Sequence, residues 1–235
     1  MFRGDHPDLL RAVGRALSTA RDLGHPRTGS EHLLLALTAE GGVVSAVLGR
    51  HGATESAVRQ AVCRAGPMGA GAAANRDALA VLSLDADRLL STLGPVFLDR
   101  PTTREPLLPV GAARARQRSA RLSPPLGLDG QAAYEASLRL ALARRDREHR
   151  PDHLALTLVA LDPGAVWILT TARVDVPVLL ADLASAFPPP NRSLLLRAER
   201  RIGQRSRSHD LVRRYQRTTG RTATSAHAVA ALIAA

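Results

Sequence analysis

Apolar residues recur along this chain in short runs at helical spacing, cut by glycine, proline and acidic turns. Leu10, Val13, Leu17 and Ala20 fall on one face of a helix predicted over 8–22, with Pro7 at its first position and Gly24 as its stop. After the turn PRTGS comes EHLLLALTAE (31–40), with Ser30 placed to cap it and Glu31 in its first turn, where the helix dipole favours an anion. Gly41-Gly42 ends that helix. A third helix is predicted over 43–51, and Thr54 caps a fourth that runs to about Arg64. Glycine and alanine dominate 65–76, which reads as a flexible break, followed by a helical stretch with Leu82, Leu84, Leu89 and Leu90 as core candidates. Residues 101–130 hold Pro101, Pro106, Pro109, Pro124 and Pro125 and read as a linker.

A second series of helices starts near Gln131, where Tyr134, Leu138, Ala141 and Leu142 carry the apolar positions. Pro151 opens PDHLALTLVAL, Asp162-Pro163-Gly164 breaks it, AVWILTTA forms a third helix, and Asp175 caps a fourth that reaches Phe187. Trp167 is expected in the core. Beyond Pro188-Pro189-Pro190, basic helices are predicted over 193–205 and 209–218, with a final apolar helix from Ser225.

The two series superimpose without gaps at a constant offset of 121 residues. Glu31 meets Asp152, His32 meets His153, and Leu33, Leu35 and Leu37 meet Leu154, Leu156 and Leu158. Val47, Leu48 and Val62 meet Ile168, Leu169 and Leu183, while Val13, Leu17 and Ala20 meet Tyr134, Leu138 and Ala141. Each unit is a four-helix module whose apolar face needs a partner, and the other unit can supply it.

Composition agrees with an all-α fold, since 45% of residues are hydrophobic but only 3% aromatic, which gives an aliphatic core suited to helix packing. The one cysteine, Cys63, excludes an internal disulfide and reads as a small apolar filler. The N-terminus lacks the hydrophobic stretch of a signal peptide and no apolar run is long enough to span a bilayer, so a cytoplasmic protein without membrane partners is expected. Every basic residue is arginine. The segment from Pro188 onward carries ten of them against Glu199 and Asp210, and so holds most of the net charge of +11.

Residues 23–53, LGHPRTGSEHLLLALTAEGGVVSAVLGRHGA, resemble the repeat of the Clp N-terminal (Clp R) domain. The resemblance rests on LGH at 23–25, GSEHLLLAL at 29–37 and VL at 47–48. DHLALTL at 152–158 and the helix at 165–171 fit a second, degenerate copy, in which Arg145 and Arg150 stand where glycines are typical. LAVLSLDADRLLSTLG (79–94) is similar to an insert found between the repeats of stand-alone members, and the resemblance extends over 5–187.

It implies a pseudo-symmetric helical docking module with a first repeat at 5–64, an insert and linker at 65–130, a second repeat at 131–187 and a basic helical tail at 188–235. In Clp unfoldases this domain receives substrates and adaptors. Its ligand sites lie near the N-terminal ends of the repeat helices, where in some members the Glu of GTEH grips the guanidinium of a phosphoarginine. The matching residues here are Glu31 and Asp152, with Ser30 beside the first. His6 and Gly127 stand where relatives carry a phosphate-binding Thr. Implied partners are Clp substrates, adaptors or a Clp ATPase acting in trans.

No GxxxxGK[ST] loop, HExxH, GxSxG or paired cysteine is present, so neither an enzyme nor a cofactor or metal site is expected. His32 and His153 are expected to pack or cap. The tail supplies the alternative function: Arg197, Arg200, Arg201, Arg205, Arg213, Arg214 and Arg217 can track the phosphates of a nucleic acid, although Tyr215 is the lone aromatic available for stacking.

Overall fold

A computed structural model describes residues 3–81, 122–144 and 146–188. The described residues form nine helices and no strand: α1 (Pro7–Asp22), α2 (Ser30–Ala39), α3 (Val43–Arg50), α4 (Glu55–Ala65), α5 (Ala70–Val81), α6 (Leu128–Ala143), α7 (Pro151–Leu161), α8 (Pro163–Thr171) and α9 (Val176–Ala186). None of them is long and apolar enough to cross a membrane alone. Leu82, Leu84, Leu89, Leu90 and the tail helices lie outside the described residues.

α2 and α7 are apolar on nearly all sides, and such helices belong in the interior. Ser30 through Leu37 and His153 through Val159 are accordingly buried, and residues of both helices join one core with Val47, Leu48, Val58, Ile168, Leu169 and Leu179. Burying each large aliphatic side chain contributes roughly 1.5–3 kcal/mol, so this shared core is the main source of stability.

α1 turns a different face inward from the one predicted. Leu9, Ala12, Ala16 and Ala20 are buried, whereas Leu10 is 56% exposed and Val13 and Leu17 are half-buried. The inward stripe is mostly alanine, which lets α1 lie close against α2. The same register holds for α6, where Gly130, Ala133, Ser137 and Ala141 are buried 121 positions on, and Leu142 is exposed. A side chain at Gly130 would place its Cβ 2.9 Å from the Thr28 carbonyl oxygen, so glycine is required there. α6 also begins at Leu128, ahead of the predicted Gln131.

Thr54 and Asp175 form the predicted caps, and Asp162, read from the sequence only as part of a break, caps α8. Thr54 Oγ1 accepts from Ala57 N (3.3 Å), Asp162 Oδ1 from Ala165 N (2.8 Å) and Asp175 Oδ1 from Val178 N (3.1 Å). Ser30 is not a cap. It is the first helical residue, Gly29 is the N-cap, and the His32 ring accepts the Gly29 N–H instead. Cys63 is exposed, because α4 buries Val58, Ala61, Val62 and Ala65 and leaves position 63 facing outward. The segment predicted as a break is largely helix: Gly69 precedes α5, and the alanines of 70–74 carry strong helix propensity once Ala70 and Ala73 are buried.

The two halves exchange backbone hydrogen bonds reciprocally. His6 N donates to His149 O (2.8 Å) and Gly127 N to Thr28 O (3.0 Å), while His149 N donates to Gly4 O (2.9 Å) and Thr28 N to Pro125 O (2.9 Å). Within each pair the second bond is the first shifted by 121 residues with the halves interchanged. The isolated β-bridges Asp5↔His149 and Thr28↔Leu126 follow the same rule. Reciprocity of this kind is the pattern of a contact between two like units.

Candidate functional site

Glu31 lies in the first turn of α2, where the N-termini of α2, α5, α6 and α8 come together. It is only 2% exposed. Its Oε1 is 3.1 Å from His32 Nδ1, and its buried Oε2 has no hydrogen-bond partner. Ser30 N donates to Asp129 Oδ2 (2.9 Å), and Ser30 Oγ donates to Asp162 Oδ1 at 2.8 Å, with Asp129 Oδ2 at 3.3 Å. Gly29 permits the crowding: a Cβ there would overlap both Glu31 oxygens and lie 2.7 Å from Asp129 Oδ2. Two acids that sequence reasoning did not assign to a site, Asp129 and Asp162, thus join Glu31 and Ser30. Their signal was weak, although Asp129 is the 121-residue counterpart of Asp8.

The counterpart region around Asp152 is built differently. The Asp152 side chain is 15% exposed, with Arg150 Nε 3.8 Å from Oδ1 and His153 Nε2 3.9 Å from Oδ2. Pro151 replaces Ser30 and has no N–H to offer Asp8. Asp8 Oδ1 instead takes Arg11 Nη2 (2.7 Å), and Arg11 Nε reaches Glu40 Oε1 (3.4 Å). Arg11 therefore serves two carboxylates, and the position 121 residues on, three after Asp129, is Ala132. His6 caps α1, its Nδ1 accepting from Asp8 N at 3.2 Å. The structure thus separates the sequence-predicted site residues into two places, Glu31 with Ser30 and Asp152 in the other half. The arginines at 197, 200, 201, 205, 213, 214 and 217 lie outside the described residues.

The histidines of both halves are structural fasteners. His32 Nδ1 accepts from Gly29 N (3.0 Å) and Nε2 meets His25 Nδ1 at 3.0 Å, so His32 carries its proton on Nε2 and donates it to His25. His153 repeats the arrangement, with Nδ1 accepting from Arg150 N (3.1 Å) and Nε2 meeting Asp146 Oδ2 (2.9 Å). Burial, and secondarily the nearby His32, lowers the His25 pKa below its ordinary 6.5. His25, Glu31 and His32 bring three possible ligand atoms within 4.8 Å. Both ring nitrogens of His32 are already used, however, so the trio ties the LGH turn to α2 and offers a metal no free His32 lone pair.

Ser137, His149 and Asp5 form a chain resembling a catalytic triad: Ser137 Oγ to His149 Nε2 is 2.7 Å, and His149 Nδ1 to Asp5 Oδ1 is 2.8 Å. Ser137 and His149 are fully buried, and Ser137 Oγ also lies 2.6 Å from the Tyr134 carbonyl of its own helix. No nucleophile is presented to a substrate, and the chain fastens the segment before α1 to the turn before α7. Trp167, expected in the core, is half-buried on α8 and donates Nε1–H to Asp77 Oδ2 on α5 (2.6 Å).

Paired helical units with a polar recess at their helix N-termini define the class, a helical interaction module without a catalytic constellation open to solvent among the described residues. Residues 7–93 match the Clp repeat (R) N-terminal domain family. The match ends before α6–α9. The fold is similar to the crystal structure of the N-terminal domain of the caseinolytic protease associated chaperone ClpD from Arabidopsis thaliana, at 18% identity and a TM-score of 0.47, over 77% of this chain and 95% of that one. No curated protein matches the chain.

Proposed function

We propose that this Clp-related interaction module binds protein segments through a guanidinium group received at Glu31, and so carries or modulates substrates or adaptors of a Clp protease in trans, in the cytoplasm and without catalysis of its own. The observation that carries this reading is the buried Glu31 Oε2 with no hydrogen-bond partner, set beside Ser30 and Asp129. A guanidinium offers paired N–H donors to such a carboxylate. The neighbouring Asp129 and Asp162 favour that cation and oppose a phosphate attached to it, so an arginine side chain fits better than phosphoarginine. Asp152, with Arg150 alongside, is the weaker counterpart.

Titration of the full chain with an arginine-containing peptide and its phosphoarginine form tests this. The expected result is weak to moderate binding of the arginine peptide, reduced roughly tenfold or more by Glu31→Ala, the scale of a lost charge-assisted pair. Equal binding by wild type and variant rules Glu31 out as the receptor. The arginine-rich segment supports a second reading, nucleic-acid binding. Deletion of 191–235 then abolishes a DNA shift that weakens steeply with salt.

A further inference from the structure

Glu31 faces a ring nitrogen that has no proton to give it. His32 Nδ1 lies 3.1 Å from Glu31 Oε1 and already accepts the Gly29 N–H at 3.0 Å, so two acceptors stand side by side in a buried recess. The other ring nitrogen, Nε2, donates to His25 Nδ1 at 3.0 Å, with the rings edge to face. His25 is 8% exposed, so this pair of rings leads from near the surface to the carboxylate.

The second half holds the equivalent ring with an acid. Asp146 stands 121 residues after His25 and takes the His153 Nε2–H at 2.9 Å, while Asp152 comes nearest His153 at Nε2, 3.9 Å away. An ionised aspartate only accepts, so it fixes one tautomer of its histidine. His25 accepts when neutral and donates from the same atom when protonated.

Protonated His25 carries an N–H on both nitrogens, and its Nδ1 no longer accepts from His32. The bond is regained when His32 keeps its own proton on Nδ1. That N–H then lies 3.1 Å from Glu31 Oε1, and the Gly29 N–H loses its acceptor. The balance is one proton taken from solvent: His25 becomes an imidazolium, and neutral His32 carries its proton on Nδ1 instead of Nε2.

We propose that His25, His32 and Glu31 form a proton-operated switch, in which one proton taken up by the trio reverses the His32 tautomer and gives Glu31 the donor that a ligand would otherwise supply. The switch rests on Glu31 as the receiving group. His32 faces His25 from α2, and Asp129 from α6 and Asp162 from the start of α8 meet beside Glu31 at Ser30. The charged side chains flanking His25 along the chain are Arg21, bonded to the Ser123 carbonyl, Asp22 and Arg27. Burial, and secondarily the nearby His32, holds His25 below its ordinary 6.5, so the trio is receptive at neutral pH and switches on the acid side of 6.5.

Long-range proton–nitrogen correlation spectra of the isotope-labelled full chain show which ring nitrogen of each histidine carries a proton, and a series from about pH 8 to about pH 5 spans histidine titration. Wild type should show His32 protonated at Nε2 at the alkaline end and at Nδ1 at the acid end, with His25 doubly protonated there. His25→Gln, whose carbonyl accepts the same N–H but takes up no proton, should keep His32 at Nε2 throughout. His32 still at Nε2 when wild type reaches the acid end or loses its far-UV circular dichroism, or a reversal that persists in His25→Gln, overturns the switch. Affinity for an arginine-containing peptide should fall about tenfold over the same range in wild type and stay level in His25→Gln, the scale of one charge-assisted pair. Peptide affinity that stays level in wild type despite the reversal overturns the coupling to Glu31. A reversal with no peptide binding at either end leaves the switch standing and removes the ligand reading instead.

Discussion

The Asp5 carboxylate is held below its ordinary pKa of 3.8 first by its hydrogen bond with His149, against the opposing effect of burial, with the Tyr134 hydroxyl and the His149 charge adding to the lowering. A depressed folded value means that this stabilisation is complete above about 3.8 and is lost as pH falls through the folded pKa. Asp5→Asn is expected to cost about 1–2 kcal/mol near neutral pH. In urea unfolding from pH 7 downward, the gap between wild type and variant should stay constant to about pH 4 and then narrow. A gap that widens toward acid would contradict it. The sequence contained no sign of this cluster, because Asp5, Ser137 and His149 share neither a helix nor a spacing. The equivalence of His32 and His153 was legible, since both sit three residues after an N-cap at the same offset.

At the scale of elements, periodicity located eight of the nine described helices, and packing decided which face each buries. In α1 two stripes compete, Leu10-Val13-Leu17 and Leu9-Ala12-Ala16, and the second wins because small residues allow α2 to approach. Leu9→Ala should therefore cost about 2–5 kcal/mol, as core truncations do. Leu10→Ala should stay within about 0.5 kcal/mol, and chemical denaturation of the two variants distinguishes them. α5 escaped notice because glycines at 66, 69 and 71 surround its start, and glycine density reads as a break. Two of those glycines precede the helix, and contact with α8 stabilises the remainder. Asp182 is another product of packing: His51 and then Arg50, both from the α3 end, hold its carboxylate below the ordinary range and join α3 to α9.

For the molecule as a whole, the shared core and reciprocal backbone bonds tie both halves into one cooperative unit. Trp167, the chain's single tryptophan, reports on α8, while far-UV circular dichroism reports on every helix. Both probes should give coincident denaturant transitions, and two separated transitions would contradict a common core. Local order in the chain was enough to specify most helices, the Thr54 and Asp175 caps and the 121-residue correspondence, because those depend on neighbours three or four residues apart. Whether a carboxylate is buried or open depends on groups brought from far along the polypeptide. Asp129, Asp162 and Gly69 surround Glu31 only after the halves pack, whereas Asp152 has Arg150 alongside.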